Sequence, residues 1–210
     1  MNTRFNLLEH PLNWVFSRTG SIAILRALLD SREGMSGRAA ARAAGMNHQT
    51  CAVAVNRLEG LGVLKRQGSG KTQLIRLNAE NLLVRDLLLP LLRGERDFFG
   101  RMKADISGWA GPKALCAVLF GSVARLEAEP GSDADLLLLA SPAAKAALTA
   151  AADEFRRDFA PRYGIRLSPV ILTVREALGR LKKGDPLIKN IMREGIDLGP
   201  AKLKEVLNDA

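Results

Sequence analysis

The stretch GSVARLEAEPGSDAD, residues 121–135, decides the fold of the C-terminal half. It is flanked by ALCAVLF, residues 114–120, and LLLLA, residues 136–140, two short apolar runs of buried-strand type. The order is strand, Gly121-Ser122, short helix, turn at Pro130-Gly131, then Asp133-Ala134-Asp135 opening the next strand. Side chains alternate along a strand, so Asp133 and Asp135 project from one face, about 7 Å apart. An acid pair that merely flanks a strand is the plain reading of such residues. Two carboxylates beside a glycine turn at a helix start also have a joint use. The turn holds phosphates through backbone N–H groups. The carboxylates hold Mg²⁺, which bridges those phosphates and neutralises charge in phosphoryl transfer.

This segment resembles the polymerase-beta-like nucleotidyltransferase superfamily, and within it the minimal nucleotidyltransferases of bacteria and archaea. The family pattern is Gly-Ser, about ten residues, then Ser-Asp-x-Asp. Here Gly121-Ser122 is followed after ten residues by Asp133, within Ser132-Asp133-Ala134-Asp135. Ala124, Arg125, Glu127, Ala128 and Pro130 also match, and REGIDLG (193–199) is similar to the closing segment of such domains. The resemblance covers residues 113–199. It implies an α/β (α+β) fold with a small mixed sheet over residues 111–210. It also implies catalytic, Mg²⁺-binding roles for Asp133 and Asp135, and a nucleotide site at Gly121, Ser122, Arg125 and Ser132. The implied reaction moves a nucleotide monophosphate from a nucleoside triphosphate to an acceptor hydroxyl.

Two positions depart from the pattern. Leu126 stands where glycine is common, which implies a less open turn. Ser168 stands where the family carries a third carboxylate, and no Asp or Glu lies between Asp158 and Glu176. A hydroxyl neither binds a hard cation as a carboxylate does nor accepts a proton near neutral pH. Either another acid folds in, or the domain turns over slowly or not at all. In the second case it serves as a ligand sensor or partner surface of a transcriptional regulator. Minimal nucleotidyltransferases are often partners of small toxins, so an antitoxin-like role belongs with that alternative.

The N-terminal part reads differently. TGSIAILRALLD, residues 19–30, puts Ile22, Leu25, Leu28 and Leu29 on a helical stripe with Ser21 as the expected cap. Ser36 precedes a second helix with a small face at Ala39, Ala40 and Ala43, and Arg38 and Arg42 on the other side. Asn47 caps a third helix in which Cys51, Val55 and Leu58 recur. VLKRQGSGKTQLIRL, residues 63–77, then reads as two strands around Gly68-Ser69-Gly70. Three short helices and a basic hairpin resemble a winged helix-turn-helix over residues 19–77; NRLEGLGVLKR (56–66) is similar to the helix-to-wing passage of many bacterial regulators. The resemblance implies double-stranded DNA as partner. His48, Gln49 and Thr50 would open the recognition helix, with Asn56 and Arg57 further along and Lys65, Arg66 and Lys71 on the wing. Ala52 and Val53 replace the Ser or Arg common there, which weakens strong hydrogen-bonded base readout and leaves apolar contact with thymine methyls open. Winged helices also dock proteins.

Charge follows this division. The net charge is +9. Residues 18–77 hold ten Lys/Arg against three Asp/Glu; residues 78–110 balance at five each. Such a local excess points to a polyanion, or to a solvated basic surface. Leu82, Leu83, Leu87, Leu88, Leu91 and Leu92 give residues 79–104 a wide apolar helical face, with a break expected at Pro90. That face is expected to pack on the first domain or a second copy, giving a homodimer. The expected organisation is therefore residues 1–78, a helical connector at 79–110, and residues 111–210. Two cysteines, Cys51 and Cys116, and two histidines exclude a disulfide scaffold and a Cys/His zinc site. With no apolar run near ~18 residues and no signal-peptide order, a cytoplasmic protein without a membrane segment is expected. Arg175, Arg180, Lys182, Lys183 and Lys189 would attract the acceptor or triphosphate, or solvate a helix.

Overall fold

Apolar side chains spaced three and four apart gather the first helices around one core. The computed structural model describes residues 6–68 and 73–209. Helix α1 (Pro11–Val15) contributes Val15, and α2 (Thr19–Leu28) contributes Ile24, Leu25 and Leu28. The α2 cap is Arg18 rather than Ser21, which lies fully buried inside the helix with no hydrogen-bond partner for its hydroxyl among the described residues. The hydrophobic stripe starts early enough to draw Ser21 into the core, and packing outweighs its capping preference. Helix α3 (Gly37–Ala43) and helix α4 (His48–Gly60) begin as expected. The Ser36 hydroxyl accepts from the Ala39 N–H at 3.3 Å, and Asn47 Oδ1 accepts from the Thr50 N–H at 2.8 Å. Ala40 and Ala41 form the small buried face of α3, whereas Ala43 is exposed.

Strands β1 (Leu64–Gln67) and β2 (Leu74–Leu77) pair antiparallel from Leu64↔Leu77 to Gln67↔Leu74. Met35 adds a bridge by exchanging backbone bonds with Ile75 at 2.9 and 2.8 Å. The approach requires glycine beforehand: Gly34 has φ +91°, and a Cβ there would lie 2.8 Å from the Ile75 carbonyl oxygen.

The leucine-rich segment runs through Pro90 without a break. Residues Leu83–Leu88 wind as a wider π-helical stretch and continue as α5 (Leu89–Ala110). Proline has no N–H to give the carbonyl one turn back, and a π turn is a standard accommodation of a disturbed ladder. The wider winding also divides the leucines. Val84, Leu88 and Leu92 are buried in the N-terminal core, while Leu82, Leu87 and Leu91 are at least half exposed. Two compact units divide between Phe98 and Phe99, inside α5. The segment read as a connector thus furnishes core residues to both, with Met102, Ile106 and Ala110 buried in the second.

The second unit is a four-stranded mixed sheet. Its strands are β3 (Cys116–Phe120), β4 (Asp133–Ala140), β5 (Arg166–Thr173) and β6 (Ile196–Asp197), in the order β5-β4-β3-β6. Strand β4 pairs antiparallel with β3 and parallel with β5; β3 also pairs antiparallel with β6. The one-turn helix α6 (Gly121–Ala124) joins β3 to the turn before β4, and α7 (Lys145–Tyr163) makes the crossover to β5. Helices α8 (Val174–Lys182), α9 (Pro186–Glu194) and α10 (Leu203–Asn208) complete the unit.

Strand alternation makes two cores. Ala134, Leu136 and Leu138 pack with α7 residues such as Leu148 and Phe159. Leu137 and Leu139 pack with Ala177, Ile188, Ile191 and Leu203 from α8, α9 and α10. On the first face Trp109 stacks on Phe155 at 4.4 Å. The architecture is mixed helix and sheet throughout, as α+β requires. Among the described residues no helix is long and apolar enough to cross a membrane.

Candidate functional site

Asp133 and Asp135 have the parity of Leu137 and Leu139, so they belong to the α8–α10 face of the sheet. Their neighbours follow from register: Asp133 lies opposite Arg166, and Asp135 lies between Phe120 on β3 and Ser168 on β5. Arg166 forks the Asp133 carboxylate at 2.9 and 3.4 Å. The Asp135 carboxylate instead turns to the glycine turn. Gly121 has φ +75°, and a Cβ built on it would lie 2.5 Å from Asp135 Oδ2.

Burial pushes the Asp135 carboxyl above the usual carboxylate range, and the nearby Asp133 charge pushes the same way. The Ser168 hydroxyl, which donates to Asp135, offsets part of this. Ser168 therefore sits beside the acid pair, in the place where the expected third acid is missing. Among the described residues no group of three or more His, Cys, Asp or Glu is placed to hold a metal ion. Two carboxylates still fit Mg²⁺, which is commonly held by one or two protein carboxylates together with substrate phosphates. Arg166 takes both Asp133 oxygens, so an ion at the pair would have to displace it; its side chain is 76% exposed, which leaves it room to swing into solvent.

The rest of the quoted stretch is tied down locally. Arg125 pairs with Glu127 at 2.7 Å and with Glu194 of α9 at 3.3 Å. The Ser132 hydroxyl accepts from the Glu129 N–H at 2.9 Å and closes the turn before β4. Ser122 is half-buried in α6, and its carbonyl accepts from the Glu127 N–H at 2.8 Å. Leu126 has φ +60° and is 75% exposed. The turn holds Leu126 in the left-handed backbone region suited to glycine. The closing segment also earns its glycines. A Cβ on Gly195 would lie 2.5 Å from Val118 Cγ1, and one on Gly199 would lie 2.4 Å from the Ala117 nitrogen.

A cavity of about 500 Å³ reaches round the edge strand β5, from Asp133, Arg166 and Ser168 to Asp153 and Arg156 of α7. The C-terminal cations divide. Arg175 and Lys182 of α8 line a different cavity, beside Ala140 at the far end of β4. Ala140 is seven residues along β4 from Asp133 and five from Asp135, about 23 and about 17 Å at ~3.3 Å per strand residue, so these two cations lie toward the other end of the strand from Gly121. Both thiols are buried and unpaired; burial pushes Cys51 up, and burial with the nearby Asp197 charge pushes Cys116 up to about 12.

In the first unit, His48, Gln49 and Thr50 are exposed at the start of α4. Gln49, Val53 and Asn56 recur at four and three, and all are exposed, with Val53 at 65%. Arg57 follows Val53 by four residues, beside that stripe, but its head is engaged: it donates to the Trp14 carbonyl, and among the described residues its other terminal nitrogen is buried without a partner. Arg66 bonds Glu59 at 2.9 Å and donates to Asn56, while Lys65 bonds Glu80 at 2.5 Å. Lys71 lies outside the described residues. Arg38 and Arg42 have no acidic partner among the described residues, and with His48 they line a concavity of about 430 Å³. Sequence reasoning placed these two on α3 without assigning them a role. Their lack of any neighbouring acid within helical reach was the available signal.

Comparison of the chain with family models, with curated proteins and with solved structures returns no match.

Proposed function

We propose that this is a DNA-binding protein with a nucleotidyltransferase-like domain. The first unit is read as a winged helix-turn-helix and the second as a small nucleotidyltransferase-like fold. The observation that carries the reading is the packing of Asp135 against Gly121, with Asp133 two residues away on the same strand face. Asp133 and Asp135 would hold Mg²⁺, which when bound neutralises triphosphate charge. The Gly121-Ser122 turn offers backbone N–H groups to phosphate oxygens. Arg125 reaches the same turn, with its charge shared between two glutamates. Asp135, raised by burial, gains from a divalent ion that favours its ionised form. The reaction is transfer of a nucleotide monophosphate to an acceptor hydroxyl.

The test is Mg²⁺-dependent movement of label from the α-phosphate of a nucleoside triphosphate to an acceptor. Loss of transfer with Asp133→Ala plus Asp135→Ala supports the assignment; equal transfer overturns it.

A specific observation favours a second reading. Ser168 occupies the register position next to Asp135 and supplies a hydroxyl rather than a base. In that reading the domain binds a nucleotide without turnover. DNA binding is then the main activity, in a transcriptional regulator or antitoxin-like protein with a toxin-like partner. Nucleotide binding without transfer, together with selective binding of its own upstream DNA in competitor, would decide for it. The exposed arginines of α3, the polar start of α4 and the apolar Val53 support the DNA partner in both readings. Leu82, Leu87 and Leu91 support a homodimer, and the buried unpaired thiols accord with a reducing cytoplasm.

A further inference from the structure

The far end of the sheet carries a second cavity, of about 770 Å³, between the start of β3, the end of β4 and one face of α8. Small-molecule sites span roughly 300–1,000 Å³. Its apolar wall includes Leu115, Pro142 and Leu178, and Leu115 is 44% exposed. Arg175, Leu178, Gly179 and Lys182 recur at three, four and seven, so α8 presents them as one stripe.

Gly179 is the odd member. A glycine inside a helix is less favourable than alanine, because it loses more chain entropy and packs no side chain. Close packing does not explain it, because a Cβ there would meet nothing within 4 Å. The space it leaves belongs to the cavity. The two cations are equally uncommitted. Arg175 and Lys182 have no acidic partner among the described residues, and no acid among these lines the cavity. The acid beside them in sequence, Glu176, is held by Lys145 at 2.6 Å and caps α8 with Thr173.

We propose that this cavity is a binding site for a small amphipathic organic anion. Its apolar body lies along Leu115, Pro142 and Leu178 over the gap at Gly179, and its carboxylate meets Arg175 and Lys182. The site is independent of the acid pair and of any reaction there.

The test is calorimetric titration of the full chain with decanoate below its micelle concentration, alongside acetate and decyltrimethylammonium. Saturable one-to-one binding of decanoate is expected, with neither control binding. Gly179→Leu fills the gap and raises helix propensity; it should fold as the parent does and weaken decanoate at least tenfold. Arg175→Gln plus Lys182→Gln, two exposed changes, should weaken it by a similar factor. Asp133→Asn plus Asp135→Asn should leave it unchanged, which separates this site from the nucleotide reading. Absence of decanoate binding, equal binding of the cationic amphiphile, or undiminished binding in folded Gly179→Leu overturns the proposal. So does binding only of a long acidic peptide, which would make the face a protein interface.

Discussion

A carboxylate oxygen of Asp135 stands 2.5 Å from the point a Cβ on Gly121 would occupy, and Gly121 has φ +75°. The turn and the acid are therefore one fitted unit: no side chain at position 121 is compatible with the acid where it stands. Gly121→Ala should destabilise the chain by about 2 kcal/mol, from the left-handed backbone and the collision together. Denaturant midpoints check this. If the collision matters, Gly121→Ala plus Asp135→Ala recovers part of the loss, whereas a purely conformational cost would persist in the double variant.

Asp135 also predicts a pH dependence. Its folded pKa is raised by burial and by Asp133. The folded state thus holds the proton more tightly than the unfolded chain. The associated stability is fully present below the unfolded pKa and is lost as pH rises through the folded value. Asp135→Asn removes the titration. It should match the parent near pH 3 and exceed it in stability at pH 7, by denaturant unfolding. A variant less stable than the parent at pH 7 would mean that the Ser168 hydrogen bond outweighs the cost of burying the charge.

Leu126 is strained and exposed, with φ +60° at 75% exposure. A left-handed residue with a Cβ costs about 1–2 kcal/mol, while glycine loses roughly 0.5–1 kcal/mol more chain entropy on folding. Leu126→Gly should therefore stabilise by about 1 kcal/mol or somewhat less, seen as a higher melting temperature. A lowered melting temperature would show that the leucine makes contacts that outweigh its backbone strain.

The acid pair was legible in the sequence because strand alternation alone puts Asp133 and Asp135 on one face. Ser36 and Asn47 were legible as caps because their geometry is local. The pairing of Asp133 with Arg166 was not: it depends on parallel register between strands 33 residues apart. The φ of Leu126 was not legible, because identity at a turn position does not reveal it. Ser21 was misread because a cap preference cannot be weighed against burial until the core is known. The division of the leucines required the π-helical winding before Pro90, which no 3.6-residue pattern contains.

That winding leaves Leu87 and Leu91, four apart and each at least half exposed, facing outward on one stripe. Exposed leucines so spaced are the natural seam of a helix pair. Leu87→Glu plus Leu91→Glu should convert a dimer to monomer by light scattering at micromolar concentration while leaving the fold intact by circular dichroism. A parent that is already monomeric there defeats the homodimer proposal.

The electrostatics of the first unit redirect the DNA test to α3. Lys65 and Arg66 are engaged with Glu80 and Glu59, and Arg57 is turned to Trp14, so their charge is partly committed within the fold. Arg38 and Arg42 carry no such partner among the described residues and flank His48. Each phosphate contact contributes about 0.9 to the slope of log affinity against log salt. Arg38→Ala plus Arg42→Ala should lower that slope by nearly two, and weaken all duplexes alike. Gln49→Ala and Asn56→Ala, on the exposed stripe with Val53, should instead reduce discrimination between sequences while leaving the slope in place. An unchanged slope in the double arginine variant would remove α3 from the proposed DNA contact and point to the β1–β2 hairpin instead.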